Sequence, residues 1–155
     1  GLSKHLGDES GYSLVEVLVS IMILTMAIVP MVAMFDVGLE SATLGGNYDR
    51  ARSLAKKQLE IVQSQTYNRV RANFPQGCPS GPGTFDAGGR SVSTDCTDPD
   101  FPGFVFDVEK QYMRLDEGSG TLAETAENRG LMRVRITVSW ESRSKQYTAT
   151  ALKAR

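Results

Sequence analysis

An α+β fold is what this 155-residue sequence predicts: one long N-terminal helix, half membrane-spanning and half amphipathic, packed on a small antiparallel β-sheet. Three observations carry that prediction. An uncharged apolar run extends from Val17 to Phe35. Apolar residues then recur at spacings of three and four as far as Val62. The last third of the chain alternates apolar and polar residues with a period of two.

The apolar run contains no Lys, Arg, Asp, Glu or His. It is about 19 residues long, close to the roughly 20 that a membrane-spanning helix needs. Glu16 is the one ionisable side chain at its edge. A carboxylate inside a membrane segment costs about 2.5–3.5 kcal/mol on insertion scales, so Glu16 points to a function and a partner. The run exceeds the apolar core of a cleaved signal peptide, and Met34-Phe35-Asp36-Val37 is no small-residue cut site, so the helix is expected to stay attached. Lys4 and His5 precede it and Asp36 and Glu40 follow, which orients the N-terminus toward the cytoplasm. Pro30 removes one helical N–H and favours a bend there.

Beyond the run, Leu44, Tyr48, Ala51, Ala55, Leu59 and Val62 form one stripe, with Asp49, Arg50, Arg52, Lys56, Lys57 and Glu60 on the other faces. The spacing predicts one helix from about Ser13 to about Val70, roughly 85 Å long at 1.5 Å per residue. Gly45-Gly46 is its weak point, each glycine costing about 1 kcal/mol. From Asn73 to Gly103, repeated Pro and Gly predict a long irregular loop. Cys78 and Cys96 lie in it, and a disulfide between them would tie it down by roughly 3 kcal/mol.

Strands are expected next. Phe104, Phe106 and Val108 alternate with Val105, Asp107 and Glu109. In Leu131–Glu141, the positions Met132, Val134, Ile136, Val138 and Trp140 share one face, while Arg133, Arg135, Thr137 and Ser139 share the wet one. Ser142-Arg143-Ser144 leads to a partner strand with Tyr147, Ala149 and Ala151 on one face. A sheet of three or four strands is predicted, and Gly118–Glu127 reads as a loop or a short helix.

Composition argues against several functions. With 17 Lys+Arg against 18 Asp+Glu, the chain has no basic surplus to hold nucleic acid by its phosphates. Its single histidine, His5, precedes the apolar helix, no Gly-rich phosphate loop precedes a helix, and no Cys/His set has zinc spacing. No enzymatic activity, cofactor or metal is therefore expected. Asp95, Asp98 and Asp100 cluster beside Cys96 but lack the spacing and glycine of a calcium loop, and read as a solvated turn. Ser13-Leu14-Val15-Glu16 also fits a capping box, with Glu16 reaching back to the Ser13 N–H.

The segment Gly11-Tyr12-Ser13-Leu14-Val15-Glu16-Val17-Leu18-Val19 resembles the cleavage and methylation motif of the type IV pilin-like family, which comprises type IV pilins, minor pilins and the pseudopilins of type II secretion. The resemblance is tightest from about Glu9 to Phe35 and looser through Ala51–Glu60. It extends to the order of long helix, loop and antiparallel sheet. It implies that residues 1–11 are a leader, 12–35 the membrane and assembly half of the helix, 36–70 its amphipathic half, 71–103 the disulfide-closed loop and 104–155 the sheet. A prepilin peptidase would cut after Gly11, and Tyr12, where the family usually has Phe, would become a methylated N-terminus. Cleavage removes one base and two acids and leaves a neutral subunit. Glu16 would be the family's fifth-position carboxylate, meeting the terminal amine of a neighbouring subunit. At 4 Å and an effective dielectric near 20, that contact is about 4 kcal/mol before desolvation. The disulfide falls after the helix rather than in the C-terminal region usual for pilins, which places the resemblance nearest minor pilins and pseudopilins. The implied partners are other pilins or pseudopilins in a helical filament, the prepilin peptidase, an inner-membrane assembly platform and, before assembly, the cytoplasmic membrane. The filament itself would be periplasmic or at the cell surface. The other reading is an unprocessed single-pass anchor carrying an extracytoplasmic binding domain.

Overall fold

The computed structural model describes residues 14–155. One helix, α1, runs over Leu14–Ser64, followed by a short helix, α2, over Tyr67–Asn73. Five strands follow: β1 (Arg90–Cys96), β2 (Val105–Asp116), β3 (Thr121–Glu124), β4 (Leu131–Trp140) and β5 (Lys145–Ala154). The chain divides into two compact units at Leu44/Gly45.

The first unit is the leading part of α1, apolar on every side. Its large apolar side chains are about half to three-quarters exposed, Ile28 at 47% and Leu14 at 77% among them. Ser20 donates its hydroxyl to the Glu16 carbonyl (2.8 Å), and Thr25 donates to the carbonyls of Ile21 (3.0 Å) and Met22 (2.9 Å). These hydroxyls are thereby satisfied within the helix, as an apolar surrounding requires. The helix continues through Pro30, where a bend is expected, and through Gly45-Gly46, its expected weak point.

The second unit is an α+β head. The remainder of α1 buries Ala51, Leu54, Ala55, Gln58 and Val62. Ala51, Ala55 and Val62 of the predicted stripe are on this face, whereas Leu59 is only partly buried, and Tyr48 and Leu44 are exposed. Ala51 and Ala55 are fully buried. Gln58 replaces Leu59 because its amide has a partner inside, the Asp98 carboxylate at 3.1 Å.

The predicted single helix to Val70 is also corrected. α1 stops at Ser64, whose hydroxyl turns back onto the Ile61 carbonyl (3.0 Å), and Thr66 is extended (φ −68°, ψ 155°) before α2 begins. The interruption lets Tyr67 and Val70 enter the core, and Tyr67 Oη donates to Asn128 Oδ1 at 2.6 Å. Pro75, without an N–H, follows Phe74, the residue that caps the end of α2.

The sheet is antiparallel, with order β1-β2-β4-β5 and β3 paired to the tail of β2. The period-two reading of β4 holds residue for residue, since Met132, Val134, Ile136, Val138 and Trp140 are all buried. Phe104, Phe106 and Val108 fill the same core. Two strands depart from the prediction. β1 lies within the expected irregular loop, and β3 replaces the expected loop or short helix at Gly118–Glu127.

Candidate functional site

Glu16 lies in the first turn of α1, where a negative side chain complements the positive end of the helix dipole. It is the last ionisable residue before Asp36. The 51-residue helix meets the length and composition needed to cross a membrane, and it lies near the N-terminus. Gly11 and Tyr12, the expected processing residues, lie outside the described residues, as does Ser13, the partner in the capping-box reading. Glu16 and the cysteines belong to different units: the acid belongs to the exposed helix, and Cys78–Cys96 to the head.

The Cys78–Cys96 disulfide is formed, across a sequence separation of 18. It fastens the segment after α2 to the end of β1. Thr97 N–H donates to the Gly77 carbonyl at 3.0 Å beside it. Gly77 has φ +81°, and a Cβ there would meet the Thr97 carbonyl oxygen at 2.6 Å, so this approach requires glycine.

Asp95 and Asp100 are exposed, as a solvated turn requires, but Asp98 is not, and lysine or arginine pairs with each of the three. Asp98 is buried, and Lys57 Nζ lies 2.9 Å from its Oδ1 and 2.8 Å from its Oδ2, and 2.7 Å from Asp100 Oδ2. The Asp100 N–H donates to Asp98 Oδ1 at 3.0 Å. Burial pushes the Asp98 carboxyl up, but the bonds from Lys57, the Asp100 N–H and Gln58 outweigh it and hold the group below the usual carboxylate range. The bonds to Asp100 and Asp98 in turn hold Lys57 above the ordinary lysine value. Asp95 pairs with Arg143 instead. An ammonium thus stands where a bound cation would have to be. No metal-ligand cluster occurs among the described residues. A cleft of about 280 Å³ opens beside Lys57 and Asp98, lined also by Gln65, Asn73 and Gln76.

Lys110 is a core group not recognised in the sequence. It is fully buried, and its ammonium donates to the carbonyls of Phe74 (2.5 Å), Arg71 (3.0 Å) and Val70 (3.5 Å) at the end of α2. A cation there caps orphan carbonyls and meets the negative end of the helix. Burial, and then the Arg71 guanidinium, lower its pKa from 10.5 to about 8. The signal was present in β2, because Lys110 continues the inward parity of Phe106 and Val108.

On the other face of the sheet, Glu109 is ringed by Arg90 (2.6 Å), Arg135 (3.4 Å) and Arg133 (3.6 Å), and Arg133 also pairs with Glu124 at 2.5 Å. This is the wet face that the sequence predicts, laced with ion pairs. Trp140 is buried against Tyr48, edge to face at 5.5 Å, and against Phe104. It serves as core.

Against known proteins, no family model matches the chain, and neither a curated protein nor a solved structure does so.

Proposed function

We propose that this chain is a structural, non-catalytic subunit of a type IV pilus-like filament, of the minor-pilin or pseudopilin kind. It is made as a membrane-anchored precursor with its N-terminus inside and cut by a prepilin peptidase after Gly11. It then moves through an inner-membrane assembly platform into a helical array of sibling subunits. The observation that carries this reading is the pairing of Glu16 with an apolar helix exposed on all sides. Such a helix needs a bilayer or other helices around it. Of the two, only bundled helices give the acid at its mouth a use, because a neighbour's newly exposed amine neutralises it and fixes the register. The Gly11–Glu16 motif supports the same reading.

The test separates processing from assembly. Gly11→Val blocks cleavage, and the full-length chain accumulates in membranes. Glu16→Val leaves cleavage intact but lowers incorporation into sheared filaments. N-terminal sequencing of assembled material should begin at Tyr12. Retention of residues ahead of Tyr12 in cells with an active peptidase would overturn the proposal in favour of an unprocessed membrane-anchored binding domain.

A further inference from the structure

We propose that the outer edge of β5 is a docking strand for an extended segment of a partner polypeptide, one with acidic residues flanking an uncharged centre. This inference stands on the sheet alone and does not rest on the filament reading.

The two edges of the sheet are built differently. β1 is seven residues long, is bulged between Ser93 and Cys96, and ends in the disulfide. Gly83 is folded against it: the Gly83 N–H donates to Ser93 Oγ (2.8 Å), and Ser91 Oγ donates to the Gly83 carbonyl (2.7 Å). A Cβ on Gly83 would lie 2.5 Å from the Val92 carbonyl oxygen, so the cover is tight. That edge is closed to another strand.

β5 has none of these devices. It runs ten residues in unbroken antiparallel register with β4, from Lys145 opposite Trp140 to Ala154 opposite Leu131. Among the described residues, its backbone makes no hydrogen bond beyond that ladder. Between Lys145 and Lys153 the sequence Gln-Tyr-Thr-Ala-Thr-Ala-Leu has no charge, no Pro and no Gly, and Leu152 is 44% exposed. Folded proteins blunt such edges with charge, proline, bulges or a cover; β5 carries charge only near its two ends, and strand addition is the binding mode that its uncharged centre offers.

Charge selects the occupant. β5 carries Lys145 and Lys153, with Arg155 just beyond, and no acid. A second copy pairing antiparallel about Ala149 would set Lys145 against Lys153 at both ends, and like charges directly opposite one another destabilise the pair. An acid-ended strand makes two opposite-charge pairs at the same positions. Lys153 gives one bond to the Gln63 carbonyl (3.0 Å) and keeps two further donors.

The test uses the full chain in nonionic detergent micelles and two synthetic probes, Glu-Thr-Val-Thr-Val-Thr-Val-Thr-Glu and its Lys-ended twin. Amide exchange across Gln146–Leu152 should slow with the acid-ended peptide, which should bind at least about tenfold tighter than the twin. The variant carrying both Lys145→Glu and Lys153→Glu should reverse that preference, with Trp140 fluorescence reporting an intact fold. Equal effects of the two peptides, no slowing by either, or an unreversed preference would overturn the proposal. So would edge protection that rises with protein concentration in the absence of peptide, which would make a second copy the occupant.

Discussion

Substituting Lys110 by Met is expected to abolish an alkaline rise in the stability of the head. The ammonium is desolvated in the folded state, and its pKa falls from 10.5 to about 8. Between those values the unfolded chain holds the proton and the folded chain has released it. Stability therefore increases with pH in that window, because the unfolded state binds more protons. The penalty is fully present below about pH 8 and relieved as the pH approaches 10.5. From pH 7 to 9.5 the gain is about 2 kcal/mol. The carbonyls of Phe74 and Arg71 do not lose their partner, since a neutral amine keeps two N–H donors. Two other groups act in the opposite sense at higher pH. Burial raises the Tyr67 pKa above 10, and the bonds to Asp100 and Asp98 raise the Lys57 pKa above 10.5, so each favours unfolding as pH climbs past its ordinary value. Stopping at pH 9.5 largely avoids both. Trp140 is the only tryptophan in the chain and lies buried in the head, so its fluorescence reports unfolding directly. Urea titrations of the full chain in detergent at pH 7, 8, 9 and 9.5 should show the rise in the parent and a flat response in Lys110→Met. A rise of equal size in both proteins would refute the assignment of the proton to Lys110.

Three further outcomes are expected. Cys78→Ser with Cys96→Ser should lower the stability of the head by about 3 kcal/mol, measured by the same fluorescence titration. Asp98→Asn should cost about 1–3 kcal/mol at pH 7, because Lys57 and Gln58 lose a charged partner. The Asp98 contribution is present above the ordinary carboxylate range and is lost as pH falls through its lowered value, so the difference between parent and variant should shrink in acid. Ser142→Gly should stabilise by up to about 1 kcal/mol in thermal melts, since Glu141, Ser142 and Arg143 all have positive φ between β4 and β5 and only glycine adopts that geometry without steric cost.

What could be read from the sequence depended on whether local pattern and final environment agreed. In β4 they agree, because every second residue is apolar and faces the core. In β1 they are inverted. Ser91 and Ser93 point inward, and Val92 is 44% exposed. The inward hydroxyls are tolerated because Gly83 supplies both a donor and an acceptor, a contact no periodicity can reveal. β3 is four residues long and mostly exposed, so it carries no alternation, and it exists through pairing with Met113–Asp116. On the helix, Ala51, Ala55 and Val62 are buried as the stripe predicts, while Leu59 gives way to Gln58 because Gln58 finds Asp98, which lies 40 residues on. The aspartate cluster was visible as a cluster, but its lysine was not, for the same reason of distance along the chain. The paired cysteines were legible because they depend on a local contrast, two cysteines in a Pro/Gly-rich segment, and so was the position of Glu16 at the start of the apolar helix.

The two parts of α1 obey different rules, and the difference locates the selective demand on the first. From Gly45 onward, the helix has one buried face, and the buried core of the head is complete with residues from Ala51 to Trp140. Nothing in that core calls for the residues before Leu44, and none of those described is buried. A helix retained only to extend the head would carry polar residues on its outer sides. This one is apolar around its whole circumference from Val17 to Phe35, where its hydroxyls are turned onto its own carbonyls, and the acid ahead of that run, Glu16, is confined to the first turn. Those features suit a surround without water on every side. They also make Glu16 costly unless a positive group is brought to it. A plain anchor could shed that cost by replacing the acid with any apolar residue; in the filament proposed above, the acid would choose one register among the many that a uniform greasy surface otherwise allows.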